Sequence, residues 1–216
     1  MVLGPEHPHT LASMKNLAAT YSVQEKYEEA GELKLKVLDL CKKVFGLDHP
    51  KTLTSMANLA RTYSHQGKYE EAVKLELKVL DLQKKVLGPE HPHTLASMTN
   101  LAATYSVQEK YEEAGELKVK VLDLCKKVLG PDHPKTLTST GNLALIYFNQ
   151  GKYEEAEELQ LKVVDLFKKV HGPEHPGTLT SMTNLAVIYS AQKKYDEAEK
   201  LQIEMPNPSN SENLAN

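Results

Sequence analysis

Neither sign of charge dominates this chain of 216 residues. Lys and Arg number 26 against 29 Asp and Glu, the formal net charge is -3, and the two signs are interleaved. That balance leaves no basic stripe of the kind a phosphate backbone demands, which argues against nucleic acid as a partner. Cysteine is nearly absent: Cys41 and Cys125 stand alone. They occupy one slot of two units that are not neighbours, beyond the roughly 7 Å Cα separation a disulfide spans. They read as small apolar side chains, and two unpaired thiols suit a reducing cytosol, so a cytoplasmic location is expected. No apolar run approaches the roughly 18 residues of a membrane span, and the start carries no apolar leader, so no membrane association is expected. A catalytic constellation is missing too. Gly67-Lys68 and Gly151-Lys152 lack the upstream glycine and following Ser or Thr of a phosphate loop, and no Ser or Cys is set beside a helical His in a way that suggests a nucleophile and its base. The expectation is no enzyme and no cofactor.

What the chain does have is one unit, repeated. Leu3 to Val44 returns as Leu87 to Val128 with two changes, Lys15 becoming Thr99 and Leu35 becoming Val119. Looser copies begin at Phe45, Leu129 and His171, so the starts 3, 45, 87, 129 and 171 fall 42 residues apart. A unit of this size cannot bury its apolar face alone and must stack on its neighbours. The expected organisation is a lead-in loop left from a preceding repeat over 1–9, repeats over 10–44, 45–86, 87–128 and 129–170, a shortened fifth over 171–205 and a disordered tail over 206–216. Val2-Leu3-Gly4 matches the end of a unit (Val86-Leu87-Gly88), so the chain reads as an excerpt from a longer array.

Each unit opens on a punctuated loop, Gly4-Pro5-Glu6-His7-Pro8 in the first. Glycine suits the left-handed position after a helix, and the second proline suits the first turn of the next. Leu11, Met14, Leu17, Ala18 and Tyr21 recur at three-and-four spacing, predicting a first helix over Thr10 to about Gln24. A second is predicted from Tyr27 to Val44. The break between them holds Gly67 and Gly151 in units two and four, so Glu25, Glu109 and Lys193, in the same slot, are expected to be left-handed. In unit five Pro206 stops the second helix near Glu204. Glu28, Glu29, Lys42 and Lys43 oppose the helix dipole and read as a solvated face, with Glu32–Lys36 and Asp39–Lys43 spaced as i,i+4 pairs. His7, His49, His91, His133 and His175 recur once per unit before proline. Neighbouring loops lie too far apart for zinc to gather three or four ligands, so these histidines read as loop or capping residues and no metal is expected.

Asn16-Leu17-Ala18-Ala19-Thr20-Tyr21 followed by Lys26-Tyr27-Glu28-Glu29-Ala30 resembles the tetratricopeptide repeat. The 42-residue period and the His-Pro-x-Thr-Leu opening are similar to its kinesin-light-chain type, found also in C-terminal arrays of fungal NOD-like receptors and in bacterial proteins. The resemblance implies an all-α fold, a right-handed superhelical solenoid of stacked antiparallel helix pairs whose first helices line a concave groove. It also implies a protein or peptide ligand in that groove. The family often sets an aromatic where this chain has Lys34, Glu76, Lys118, Gln160 and Gln202, so the packing role there passes to Leu33, Val37 and their equivalents.

Within such a groove Asn16, Asn58, Asn100, Asn142 and Asn184 form the invariant row. An amide donates and accepts at once, so such a row can grip an extended peptide backbone. Alternatively each amide bonds the adjacent unit and fixes stacking. Lys15, Arg61 and His65 make one end of the groove weakly basic, and Leu145, Phe148 and Val187 make the other apolar. A peptide with an acidic end and an apolar anchor fits that gradient. The competing expectation is a structural spacer, or a module that self-associates end to end through uncapped terminal repeats.

Overall fold

In the computed structural model, residues 4 and 6–205 are described, and among them are ten α-helices and no strand. The tail over 206–216 and Val2 lie outside the described residues. The chain divides into two compact units, 1–110 and 111–216. Unit 1 contains α1 (Pro8–Val23), α2 (Tyr27–Phe45), α3 (Pro50–His65), α4 (Tyr69–Val86) and α5 (Pro92–Val107). Unit 2 contains α6 (Tyr111–Leu129), α7 (Pro134–Asn149), α8 (Tyr153–His171), α9 (Pro176–Ala191) and α10 (Tyr195–Glu204). Within each unit every helix packs on the next in sequence. This is the all-α stack of helix pairs that the repeat period implies.

The loops explain where each pair begins. Every first helix has proline at its start, preceded by a histidine whose Nδ1 accepts the backbone N–H two residues on, at 3.2 Å for His7, 3.1 Å for His49 and 3.0 Å for His175. The histidines are therefore helix N-caps. The threonine of the same motif donates to the glycine carbonyl six residues back: Thr52 to Gly46 at 2.7 Å, Thr94 to Gly88 at 2.8 Å, Thr136 to Gly130 at 2.7 Å. Those glycines have φ near +90°, open only to a residue without a Cβ. At the break inside each pair, Gly67 and Gly151 are left-handed at φ 75° and 74°, and Glu25, Glu109 and Lys193 adopt the same conformation at 60°, 59° and 62°.

Small residues let the two helices of a pair approach. Ala60 and Ala102 on first helices and Ala30, Ala72, Ala114 and Ala156 on second helices are all 0% exposed. Around them Leu38, Leu53, Met56, Leu59 and Val79 form one core in unit 1, and Val164, Met182, Leu185, Ala186 and Leu201 form one in unit 2. Each fully buried Leu or Met contributes about 1.5–3 kcal/mol. Successive pairs are also latched by glutamine. The Gln66 Nε2 donates to the Tyr27 carbonyl at 2.6 Å and Gln150 to Tyr111 at 2.9 Å, each passing over a glycine, Gly31 or Gly115. A Cβ at Gly31 would lie 2.7 Å from that amide. Where Glu157 takes the glycine's place, an ion pair from Lys194 at 2.6 Å joins the pairs instead.

The charged faces are exposed as expected, though neither expected i,i+4 pair, Glu32–Lys36 or Asp39–Lys43, is among the ion pairs of the described residues. Lys43 pairs with Glu6 in the preceding loop, and it is Lys42 that reaches Asp39, at 3.2 Å. Cys41 and Cys125 are free and buried. Among the described residues no helix is long and apolar enough to cross a membrane.

Candidate functional site

The first helices present the repeated asparagines to solvent. Asn16, Asn58, Asn100 and Asn184 are exposed and Asn142 is half-buried. Asn16, Asn58 and Asn100 accept hydrogen bonds through their main-chain carbonyls, from the threonines one turn on. The latch between helix pairs runs through Gln66 and Gln150.

Unit 1 holds a concavity of about 400 Å³ between α1, α2 and α3. Four residues singled out in the sequence meet there: Lys15, Asn58, Arg61 and His65. His65 stacks on the Tyr27 ring, with centroids 4.9 Å apart and planes 7° from parallel, which fixes its orientation. Ser22, Val23, Tyr27, Lys34 and Thr62 complete much of the wall, and no acidic side chain lines it. Asn16 and Asn142 line none of the concavities described.

The floor is supplied by a slot the sequence flagged only as a departure from the family pattern. Lys34 Nζ donates to Ser22 Oγ at 2.8 Å and Thr62 Oγ1 at 2.6 Å. Burial, and then the nearby Arg61 charge, hold its pKa below the usual lysine value. One repeat on, Glu76 is 6% exposed and takes a 3.1 Å hydrogen bond from Thr104 Oγ1. Burial raises its pKa to about 7 against the lowering effect of that bond. In unit 2, Lys118 is buried at 7% exposure, and burial lowers its pKa. Gln160, 1% exposed, donates to the Ser181 carbonyl at 2.8 Å. Neutral Gln160 satisfies itself on main chain, whereas Lys34 and Glu76 bond to first-helix hydroxyls. Val37 is buried and Leu33 half-buried, so the apolar packing falls to them, as the departure implied.

Unit 2 has its own, smaller concavity of about 70 Å³, lined by Leu145, Phe148, Asn184, Val187, Gly141, Gln160 and Ile188. Leu145, Phe148 and Val187 meet there with Asn184. Phe148 also packs on Tyr153, with centroids 5.5 Å apart. A second gap in unit 1, of about 10 Å³, lies among Ala57, Glu76, Val79, Ser97 and Asn100. Among the described residues no cluster of three or more His, Cys, Asp or Glu is arranged to hold a metal ion.

Helix pairs repeated in phase, with a polar floor and amides along the first helices, define an all-α repeat scaffold. The tetratricopeptide repeat pattern matches residues 10–85, 95–157 and 137–204, and the chain belongs to that family. A solved structure of Podospora anserina kinesin-light-chain nearly identical TPR-like repeats is 37% identical, with a TM-score of 0.83 over 93% of this chain and 95% of that one. BtubC (BKLC) from P. vanneervenii, 16% identical, shares the fold with a TM-score of 0.76 over 93% of this chain and 84% of its own. A Pyrococcus horikoshii signal transduction ATPase with a tetratricopeptide repeat sensor, 21% identical, gives a TM-score of 0.73 over 94% of this chain but 30% of its own. No curated protein sequence matches the chain.

Proposed function

We propose that this chain is a peptide-binding scaffold, the recognition array of a larger receptor or adaptor, working in the cytoplasm and without catalysis. Tetratricopeptide repeats are protein-interaction scaffolds, and the sensor role of the Pyrococcus horikoshii repeats fits the same use. The observation that carries the reading is the unit 1 concavity. Lys15, Lys34, Arg61 and His65 surround it without an acidic side chain, so its vacant charge complement is a carboxylate of the ligand. Asn58 offers its amide to the peptide backbone, and Asn16, Asn100, Asn142 and Asn184 do the same along their helices. Unit 2, with Leu145, Phe148 and Val187, takes an apolar side chain.

The test is a random-peptide display panned on the native chain and on a variant with alanine at all five asparagines, both shown folded by circular dichroism. Enriched peptides carrying acidic and apolar residues, and an affinity at least about tenfold weaker for the variant, are expected. The same peptides bound equally by both proteins would reduce the asparagines to surface residues.

A second reading, association of copies through the α1 face, is favoured by Leu17. It is 46% exposed on α1, whereas Leu59 and Leu101 in the same slot are 1% exposed. Light scattering that rises with concentration, and falls on Leu17→Glu, would support it.

A further inference from the structure

The floor slot carries a chemistry that stacking does not require, since Gln160 fills it as a neutral residue bonded to main chain. In unit 1 it sets a basic residue, Lys34, and an acidic one, Glu76, in corresponding places of consecutive repeats. Glu76 is only half satisfied. Thr104 serves Oε1, while Oε2 is buried with no hydrogen-bond partner among the described residues. A buried carboxylate oxygen without a donor is costly, and native proteins leave few of them.

The surroundings define what could supply the donor. Glu76 lines the 10 Å³ gap with Ala57, Val79, Ser97 and Asn100, and none of these four is ionisable. Asn100 is exposed, so the gap meets the surface on the face of the asparagine row. Its volume is about that of one water-sized group. We propose that the gap receives the ammonium of a ligand lysine, so that unit 1 reads a carboxylate and an amine set one repeat apart along the bound peptide. The inference rests on the groove reading above and adds a second, oppositely charged contact to it.

Three properties select an ammonium. It is compact, where a planar guanidinium is too broad for the gap. It has three donors, enough for the free Glu76 oxygen and for the oxygens of Ser97 or Asn100. It brings the charge that water cannot, converting a carboxyl whose ionisation burial opposes into half of a paired contact. A ligand carboxylate is refused there by like charge and accepted at Lys34. Neighbouring helix pairs lie roughly 10 Å apart and an extended chain rises about 3.3 Å per residue, so the two ligand charges fall about three residues apart.

The test uses the full chain and capped alanine octapeptides carrying Glu and Lys three residues apart, in both orders. Comparators replace the Lys by Ala or Arg, and affinity is read by calorimetry while the Glu76 side-chain carbon is followed by NMR. One Glu/Lys order is expected to bind about tenfold more tightly than its Ala and Arg comparators and to shift the Glu76 resonance. Glu76→Gln, which copies Gln160, should erase that preference and leave the Glu/Ala peptide unaffected. Glu76→Lys should move the preference to a Glu/Glu peptide, with Ser64 and Thr104 taking the places that Ser22 and Thr62 hold around Lys34. Equal binding of the Glu/Lys and Glu/Ala peptides would overturn the inference and leave the groove standing. Failure of every peptide to bind would remove the groove reading along with it.

Discussion

Glu76 gives the sharpest expectation at the scale of one residue. Its pKa in the folded chain is about 7, above the usual 4.5, so between those values the folded state binds more protons than the unfolded state. Stability conferred by the protonated carboxyl is present at and below pH 4.5 and is lost as pH rises toward 7. Glu76→Gln removes that titration. The variant should be more stable than the native chain by about 1–3 kcal/mol at pH 8, with the gain shrinking toward pH 5. Urea unfolding at the two pH values measures it, and a pH-independent difference would mean that Glu76 is solvated. Nothing in the sequence announced this. Lys, Glu and Gln sharing one slot marked only a departure from the family pattern, and it is packing in the folded stack that buries it. That Asn58, Arg61 and His65 share a concavity was readable from their spacing on one helix face, whereas Asn16 and Asn142, fixed in the same row, line none of the concavities.

At the scale of the element, the boundaries were largely legible because both ends of every helix are punctuated. Proline fixes the start two residues earlier than the apolar pattern alone suggests, at Pro8 rather than Thr10, and glycine or a left-handed residue fixes the end. The left-handed Glu25 and Glu109 were readable from the glycines at 67 and 151, since a shared slot imposes a shared backbone. Replacing both by glycine should raise thermal stability, by up to about 1 kcal/mol per site, because relief of the Cβ clash outweighs the added freedom of the unfolded chain. Unchanged melting would show the clash to be offset locally. The cap makes a companion case. His133→Ala should cost about 1 kcal/mol and His133→Asn much less, since the side-chain acceptor for the Lys135 N–H is kept. The glutamine latch was not legible, because the Gln66 partner is a main-chain carbonyl 39 residues away.

At the scale of the whole molecule, identical residues lead different lives. Leu17 and Leu101 belong to near-identical copies, yet one is 46% exposed and the other 1%. Leu101→Ala should therefore cost about 2–5 kcal/mol, and Leu17→Ala well under 1 kcal/mol in a monomer. Equal costs in chemical unfolding would show that α1 is covered in solution. Periodicity gave the fold because every repeat solves the same packing problem, but it is silent on which copy's leucine a neighbouring helix covers.

The latch between pairs bears on how such a gene can change length. Gly31 precedes Gln66 as Gly115 precedes Gln150, and the copies carrying the two glycines differ at two positions. An unequal crossover between those copies would excise or add two whole repeats and still deliver a glycine to a waiting glutamine, so no joint is misfitted. The excised or added repeats would carry their floor residues with them, so the order of floor residues changes while the joint does not. Lys34, Glu76, Lys118 and Gln160 can thus be read as a short word in a fixed grammar, spelled anew by recombination while the scaffold that displays it is untouched.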